Sequence, residues 1–358
     1  METSFNELFE NKTVLITGGT GFLGQHLIKS ILPFNPHSIR VFSRDEVKHH
    51  LLLKQFQGTN KLRPLIGDVR DYQRLKKACE EAHIVIHAAA LKRLDLIEYN
   101  VDECIKTNVM GTMNVVQSCL ECNVEKAVFV SSDKACSPAN TYGASKFMGE
   151  RIFTESNHSK GAKKTLFTSV RYGNVLESTG SVIPFFQGQI KAHHHIPLTD
   201  SRMTRFIIHK TQAAKLIFDA LKYAIGGEIF VPHLPSFKIV DIIEALQEGS
   251  QDKCPIDIVG LRPGEKIHEI LINHTEIPRT CRFKDLYVIA PCLEQAFIEQ
   301  AFIEQSLEKK QRGCKSPQYI LEGIPLEKTM DEYSSKDHVL SKEEVKKNLT
   351  ALLEDSHP

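Results

Sequence analysis

Five residues in one stretch have the types and spacing needed to move a proton together with a hydride. Ser132-Asp133-Lys134 closes an apolar run, and Tyr142 and Lys146 follow, four residues apart. On a helix, positions i and i+4 share a face, so the phenol and the ammonium can sit together. A cation beside a phenol favours phenolate, which predicts a lowered Tyr142 pKa. A phenolate can take the proton of a hydroxyl while hydride leaves the same carbon, and Ser132 can hold that hydroxyl. Asp133 and Lys134 add a second acid/base pair. Lys134 serves as its base if burial and the like charge of Lys146 keep it neutral, and Asp133 as its acid if protonated.

A hydride needs an acceptor, and the chain offers a place for one. Gly18-Gly19-Thr20-Gly21-Phe22-Leu23-Gly24 follows a short apolar run and opens a helical pattern. Glycines there let a pyrophosphate approach backbone N–H groups at a helix N-terminus, and the last one lets helix and strand pack closely. The second strand ends in Ser43-Arg44-Asp45. Arg44 suits a ribose 2′-phosphate and Ser43 can add a hydrogen bond, which predicts NADP; Asp45 beside them would suit the free 2′-hydroxyl of NAD. Asp68 and Val69 are expected at the adenine. Ala88 and Ala89, after the fourth strand, are small enough for backbone to run beside a dinucleotide.

The elements that must position these groups alternate along the first half. Apolar runs at 13–16, 38–43, 61–66, 82–87, 126–130 and 166–170 read as six strands, with helical segments around 71–81 and 101–122 among those between them. Such alternation predicts an α/β fold: a Rossmann-type doubly wound parallel sheet covered on both faces. Prolines at 184, 197, 232, 235, 255, 263 and 278 then break up the pattern, with short helices at 211–224 and 238–248. This predicts a dinucleotide-binding domain over 1–175, to whose sheet a later strand returns. A smaller substrate-binding lobe and tail cover 176–358. Ser341 and Glu344 have capping-box spacing at the start of a helical run to Leu353.

Composition removes several classes. The 358 residues are 41% hydrophobic and 25% charged, which is globular. Lys and Arg number 45 against 44 Asp and Glu, leaving a net charge of +1 and no basic block for nucleic acid. Trp is absent, which removes sugar stacking on indole. The opening METSFNELFENK carries acids and lacks an apolar core, and no run is long enough to span a bilayer, so a cytoplasmic protein is expected. The nine cysteines are odd in number and irregular in spacing, which predicts free thiols. Cys119 and Cys122 have CxxC spacing without a second pair, and His193–His195 has no carboxylate at ligand spacing; neither predicts a metal site. QAFIE occurs twice within residues 294–305, a local insertion of helical character with no chemistry of its own.

The chain resembles the extended short-chain dehydrogenase/reductases, and more narrowly the configuration-inverting UDP-N-acetylglucosamine 4,6-dehydratases of bacterial pseudaminic acid and capsule sugar pathways. The resemblance runs from about residue 10 to 345. It rests on VLITGGTGFLG, FSRDE, HAAALKRLDLIEYN, IKTNVMGTMNV, SSDKACSPANTYGASK, VRYGNV, GSVIPFF, LTDSRMTRF, GEIFVPHLPSFKI, LRPGEKIHEIL and EYSSKDHVLSKEE, in that order. The family commonly has Thr at the position of Ser132, and the QAFIE duplication is foreign to its pattern. The resemblance implies catalysis by Ser132, Asp133, Lys134, Tyr142 and Lys146, with Lys92 and Asn108 lining the cofactor and catalytic region. It assigns Asn174, Arg205, Arg262 and Glu265, together with Lys92, to the UDP-sugar, and implies a homo-oligomer, a dimer or larger. Retaining relatives carry Asp-Glu in place of Asp133-Lys134, or Met in place of Tyr142, so the implied product is the C5-inverted 4-keto-6-deoxy sugar of the L-arabino series. The alternatives are a UDP-sugar 4-epimerase, which shares Tyr142, Lys146 and the loop but needs no acid/base pair for C5 and C6, and a 4,6-dehydratase of another UDP-hexose. A non-catalytic protein on this fold would be expected to have lost Tyr142 or Lys146.

Overall fold

The computed structural model describes residues 5–176, 182–248, 253–291, 322–326 and 331–354. Cys292, Cys314 and the QAFIE duplication lie outside them.

The first strand, β1 (Thr13–Thr17), has all five residues buried, as a parallel strand covered on both faces requires. It pairs in parallel with β2 (Ser38–Ser43) on one side and, on the other, with β4 (Ile84–His87). β3 (Leu62–Ile66) extends the β2 side. β5 (Lys126–Val130) and β6 (Leu166–Val170) extend the β4 side. The order 3-2-1-4-5-6 reverses between β1 and β4, which opens the crevice where doubly wound sheets bind ligands.

Helix α1 (Phe22–Ile31) buries Gly24, Leu27, Ile28 and Ile31 in one core layer. The opposite layer is built by α3 (Tyr72–Cys79), α4 (Gly111–Glu121) and α5 (Thr141–Ser159), after α2 (Glu46–Gln55) has led out of β2. Its core includes Leu75, Cys79, Val115, Cys119, Phe129, Phe153 and Phe167. Cys119 is therefore packing. Cys122 is half-buried, and the seven described cysteines are all free.

The second half differs from the sequence reading in how much it gives to the sheet. Beyond α6 (Val182–Lys191) and α7 (Lys210–Tyr223), β10 (Ile229–Pro232) pairs in parallel with β6. The antiparallel strands β14 (Thr280–Phe283), β15 (Leu286–Ile289) and β16 (Ile324–Pro325) continue outward. Four strands thus come from beyond residue 175, making ten in all.

The remaining strands form small separate sheets. β7 (Asn174–Val175), β9 (Thr204–Ile208) and β11 (Ser236–Lys238) make one, β8 (Ile196–Leu198) pairs with β12 (Ile256–Ile258), and β13 (Ile270–Ile272) pairs with β17 (Tyr333–Ser334). Around Phe186, Ile196, Phe237 and Ile242 they enclose a core of their own. Helix α9 (Lys342–Glu354) closes it by packing Val345 and Leu349 toward α8 (Ile239–Leu246). Ser341 and Glu344 cap α9 reciprocally: the Ser341 N–H donates to Glu344 Oε2 at 2.9 Å and the Glu344 N–H to Ser341 Oγ at 3.3 Å.

Candidate active site

The glycine loop lies at the crevice between β1 and β4. Gly18 has φ +70, and a Cβ there would stand 2.9 Å from the Ala89 backbone, so loop and β4 edge touch only because the side chain is missing. A Cβ on Gly24 would stand 2.5 Å from Gly19 Cα, which is the close helix-to-loop packing expected of the last glycine. Gly21 is the N-cap of α1 and brings no side-chain cap to it. The first-turn N–H groups, from Phe22 and Leu23 onward, are therefore left for an anion, and a dinucleotide pyrophosphate fits there.

At the end of β2, Ser43 is committed inward: its Oγ lies 2.8 Å from Thr20 Oγ1 and 3.2 Å from His49 Nε2. Asp45 caps α2, accepting the Lys48 N–H at 3.0 Å. Arg44 stays more than half exposed, with Nη1 3.6 Å from Asp68 Oδ2. Asp68 also accepts from Arg70 at 2.9 and 2.7 Å, while Val69 is buried. On the other side of the crevice, Asn108 holds the Ala88–Lys92 segment: its Oδ1 accepts the Leu91 N–H at 2.8 Å and its Nδ2 donates to Leu91 O at 2.9 Å. Nδ2 also reaches Ser145 Oγ at 3.0 Å, tying that segment to α5. Asn108 sits in a π-helical turn, Ile105–Met110, a local widening often found at functional sites.

Helix α5 carries Tyr142 and Lys146. Its N-cap is Asn140, whose Oδ1 accepts the Gly143 N–H at 2.8 Å. The same side chain donates from Nδ2 to Gly264 O at 2.9 Å, so the cap also docks the Arg262–Glu265 turn onto the helix. The sequence reading passed over Asn140, although an Asn just before a helical pattern is a cap signal.

The acid/base groups meet beyond β5. Ser132 Oγ donates to Asp133 Oδ1 at 2.7 Å and accepts the Lys134 N–H at 3.1 Å. Lys134 Nζ lies 3.1 Å from Asp133 Oδ1 and 3.6 Å from Glu269 Oε1. This corrects the expectation of a neutral Lys134. Burial does press its pKa down, but Asp133 and Glu269 outweigh burial and hold it above an ordinary lysine. The cation pressing against it is Arg205, not Lys146.

Lys146 is instead turned to the sheet, donating to Val130 O at 2.7 Å and lying 4.6 Å from the Phe129 ring centroid. Burial lowers its pKa to about 8. Tyr142 also departs from expectation: burial pushes it up to about 12, and the cation that favours phenolate is Lys134. Sequence spacing placed Lys146 on the right helix face but could not say which lysine stands nearer the phenol in charge.

Of the residues assigned to substrate, Asn174 and Arg205 line one cleft with Val182, Ile183, Ile207 and Ile239. Arg205 does not present a free fork. Its Nη1 donates to Thr204 O and Ile267 O at 2.7 and 3.0 Å, its Nη2 to Lys266 O at 2.9 Å, and its Nε lies 3.8 Å from Glu269. Arg262 is exposed on its turn, where Glu265 Oε2 accepts the Arg262 N–H at 3.3 Å.

Both halves of the chain are bolted together behind this site. Arg171, just after β6, is fully buried, with Nη2 2.6 Å from Glu150 Oε2 on α5 and Nη1 2.8 Å from Glu276 Oε2. Its Nη1 also donates to Leu271 O at 2.8 Å. Among the described residues there is no His, Cys, Asp and Glu group that could hold a metal ion; His195 bonds Asp257 at 2.8 Å on the exposed surface.

The family model for polysaccharide biosynthesis proteins matches residues 14–291. The chain belongs to that family. Members similar to it include the inverting UDP-N-acetylglucosamine 4,6-dehydratase of Campylobacter jejuni, 42% identical over 80% of this chain and 85% of the relative. A UDP-glucose 4-epimerase of Rickettsia rickettsii is 36% identical over 79% and 84%. Among solved structures, Pen from Bacillus thuringiensis aligns with a TM-score of 0.84 at 36% identity, covering 96% of this chain and 98% of that one. A dTDP-glucose 4,6-dehydratase of Streptomyces venezuelae, solved with NAD bound, shares the fold at a TM-score of 0.65 and 22% identity, over 71% and 86%. The polysaccharide biosynthesis family thus sits on the extended dehydrogenase/reductase fold.

Proposed function

We propose that the protein is a UDP-N-acetylglucosamine 4,6-dehydratase that inverts C5. The observation that carries this is the contact at 3.1 Å between buried Asp133 and half-buried Lys134 beside Tyr142, an acid/base unit that a 4-epimerase has no use for. The higher identity to the inverting dehydratase than to the epimerase supports the same choice.

A nicotinamide dinucleotide held at the glycine loop and Arg44 would supply the hydride acceptor for C4 and the hydride donor for C6. Tyr142, once ionised to its phenolate, takes the proton of the C4 hydroxyl, which Ser132 holds, and Lys146 anchors the strand side of the site. A proton passed from Lys134 to Asp133 across their contact leaves an amine and a carboxylic acid without changing the net charge. The amine removes the proton from C5, and Asp133 gives its own to the C6 hydroxyl, which departs as water. C5 takes a proton from solvent on the opposite face, which inverts it, and Tyr142 returns its proton to solvent, so that Tyr142, Lys134 and Asp133 end as they began. Arg262, Glu265 and Asn174 bind the UDP-sugar, with Lys92 at the cofactor edge. Arg205 acts by holding the 266–267 backbone. Incubation with UDP-N-acetylglucosamine is expected to give a product lighter by one water; an isomer of unchanged mass would support the epimerase.

The cofactor in this reading is NADP. Asp45 is spent on capping α2, so Arg44 is the side chain left to face a 2′-phosphate. Enzyme denatured after purification is expected to release NADP(H); release of NAD would show that Arg44 does not set the choice.

The reading also includes a dimer or larger assembly in the cytoplasm. Leu96, Tyr99, Ile105, Met110, Met113 and Met148 are exposed apolar side chains that a second copy could cover. Sedimentation as a monomer would remove that part. The free cysteines fit a reducing compartment. Among the described residues no helix is long and apolar enough to cross a membrane.

A further inference from the structure

We propose that Glu269 is a positioning residue of the acid/base centre: a second carboxylate, supplied by the smaller lobe, that shares the Lys134 ammonium with Asp133. The inference rests on the dehydratase reading and adds a residue to it.

Glu269 immediately precedes β13, and its backbone is fixed at both ends: its N–H donates to Ser335 Oγ at 2.9 Å and its carbonyl accepts the Ser335 N–H at 2.8 Å. Its side chain is only 4% exposed, with Oε1 3.6 Å from Lys134 Nζ and 3.8 Å from Arg205 Nε. Oε2 is buried with no hydrogen-bond partner, and so is Oδ2 of Asp133. Two carboxylates thus flank one ammonium, and each keeps an acceptor unspent. A buried acceptor without a partner is costly, and its retention at a reaction centre points to a group that arrives with substrate.

The charges facing Lys134 are Asp133 on its own turn, Glu269 beside β13, Arg205 on β9 and the Tyr142 phenol on α5. Asp133 and Glu269 balance Lys134 and Arg205, so the cluster is neutral while Lys134 is charged. A lysine paired on one side only can swing on its flexible stem. Held from both lobes, its nitrogen stays at the point where it must leave its proton and take up the one from C5. Arg205, fastened to the 266–267 backbone, keeps Glu269 facing the pair.

The test reads Lys134 directly. Competitive acetylation of the whole enzyme across pH, followed by mass spectrometry of the Lys134 peptide, gives the titration midpoint of that side chain. In the wild type it is expected above that of the exposed lysines. In Glu269→Gln, which keeps shape but removes charge, the midpoint is expected to fall by about one pH unit or more. Turnover of UDP-N-acetylglucosamine should fall about tenfold or more, with KM nearly unchanged. An unchanged midpoint in the variant, or a fallen midpoint with wild-type turnover, overturns the proposal. If the variant does not fold, a wild-type midpoint at or below that of the exposed lysines overturns it alone, and one above them supports it. An enzyme that forms no 4-keto-6-deoxy product would remove the dehydratase reading while leaving the labelling result to stand.

Discussion

Tyr142→Phe is expected to lower turnover by about 10²–10⁴-fold, the usual cost of losing a positioned acid/base group. In the proposed mechanism Tyr142 takes the C4 hydroxyl proton, and no later step can begin until C4 is oxidised. The substitution removes one oxygen from a side chain whose ring stays in place, so melting temperature and UDP-sugar binding should remain near wild type. Because burial holds the Tyr142 pKa up at about 12, ionisation of the free enzyme requires alkaline pH. The value of kcat/KM should therefore keep rising with pH into the alkaline range, as the Tyr142 phenol gives up its proton. Near-normal turnover in Tyr142→Phe, measured by the rate of water loss from UDP-N-acetylglucosamine, would remove Tyr142 from the mechanism.

Arg171→Met should cost about 3–5 kcal/mol of stability, because it strands two buried carboxylates that now share one guanidinium. Arg171, Glu150 and Glu276 are all buried, and their contacts join α5 to the second half of the chain. Burial opposes ionisation of Glu276, yet Arg171 outweighs it and draws the pKa down to about 2. A carboxyl depressed in the folded state adds stability above its ordinary value near 4.5, and that stability is lost as pH falls toward 2. Wild-type protein should thus lose stability in acid. In Arg171→Met the sign reverses: Arg279 still lies 3.6 Å from Glu276, but the buried carboxylates have lost the guanidinium they share, and protonating them relieves the fold. Lowering pH from about 8 to 6 should raise the variant's melting temperature and leave the wild type's little changed. A melting temperature within a few degrees of wild type would show that the bolt carries little of the stability.

The six parallel strands and the glycine loop were legible because local sequence determines them. β1 is an unbroken buried run, Gly18 and Gly21 fall between it and α1, and Gly24 lies in the first turn of that helix. β14 to β16 were not read, because short antiparallel strands between prolines carry little periodicity. The active-site motif was legible as a set of residues but not as a set of charges. Lys134 was read against Lys146, its neighbour in sequence, whereas Asp133 and Glu269 decide its state and Glu269 lies 135 positions away in the chain. Arg171 stood in a quoted motif without a role, since Glu150 and Glu276 meet it only in the fold. Asp45 counted against NADP in the sequence; its cap on α2 was not foreseen, although an acid at the start of a helical pattern is itself a cap signal.

The central claim is that Lys134 takes the proton from C5 and Asp133 protonates the departing C6 hydroxyl, with C5 inverted. The most direct test is proton magnetic resonance of fresh product formed from UDP-N-acetylglucosamine in deuterated water. The account predicts loss of one water, deuterium at C5, and ring couplings of the inverted L-arabino 4-keto sugar. A product that keeps the D-xylo configuration before any epimerisation in solution, or UDP-N-acetylgalactosamine formed with no loss of water, would contradict it.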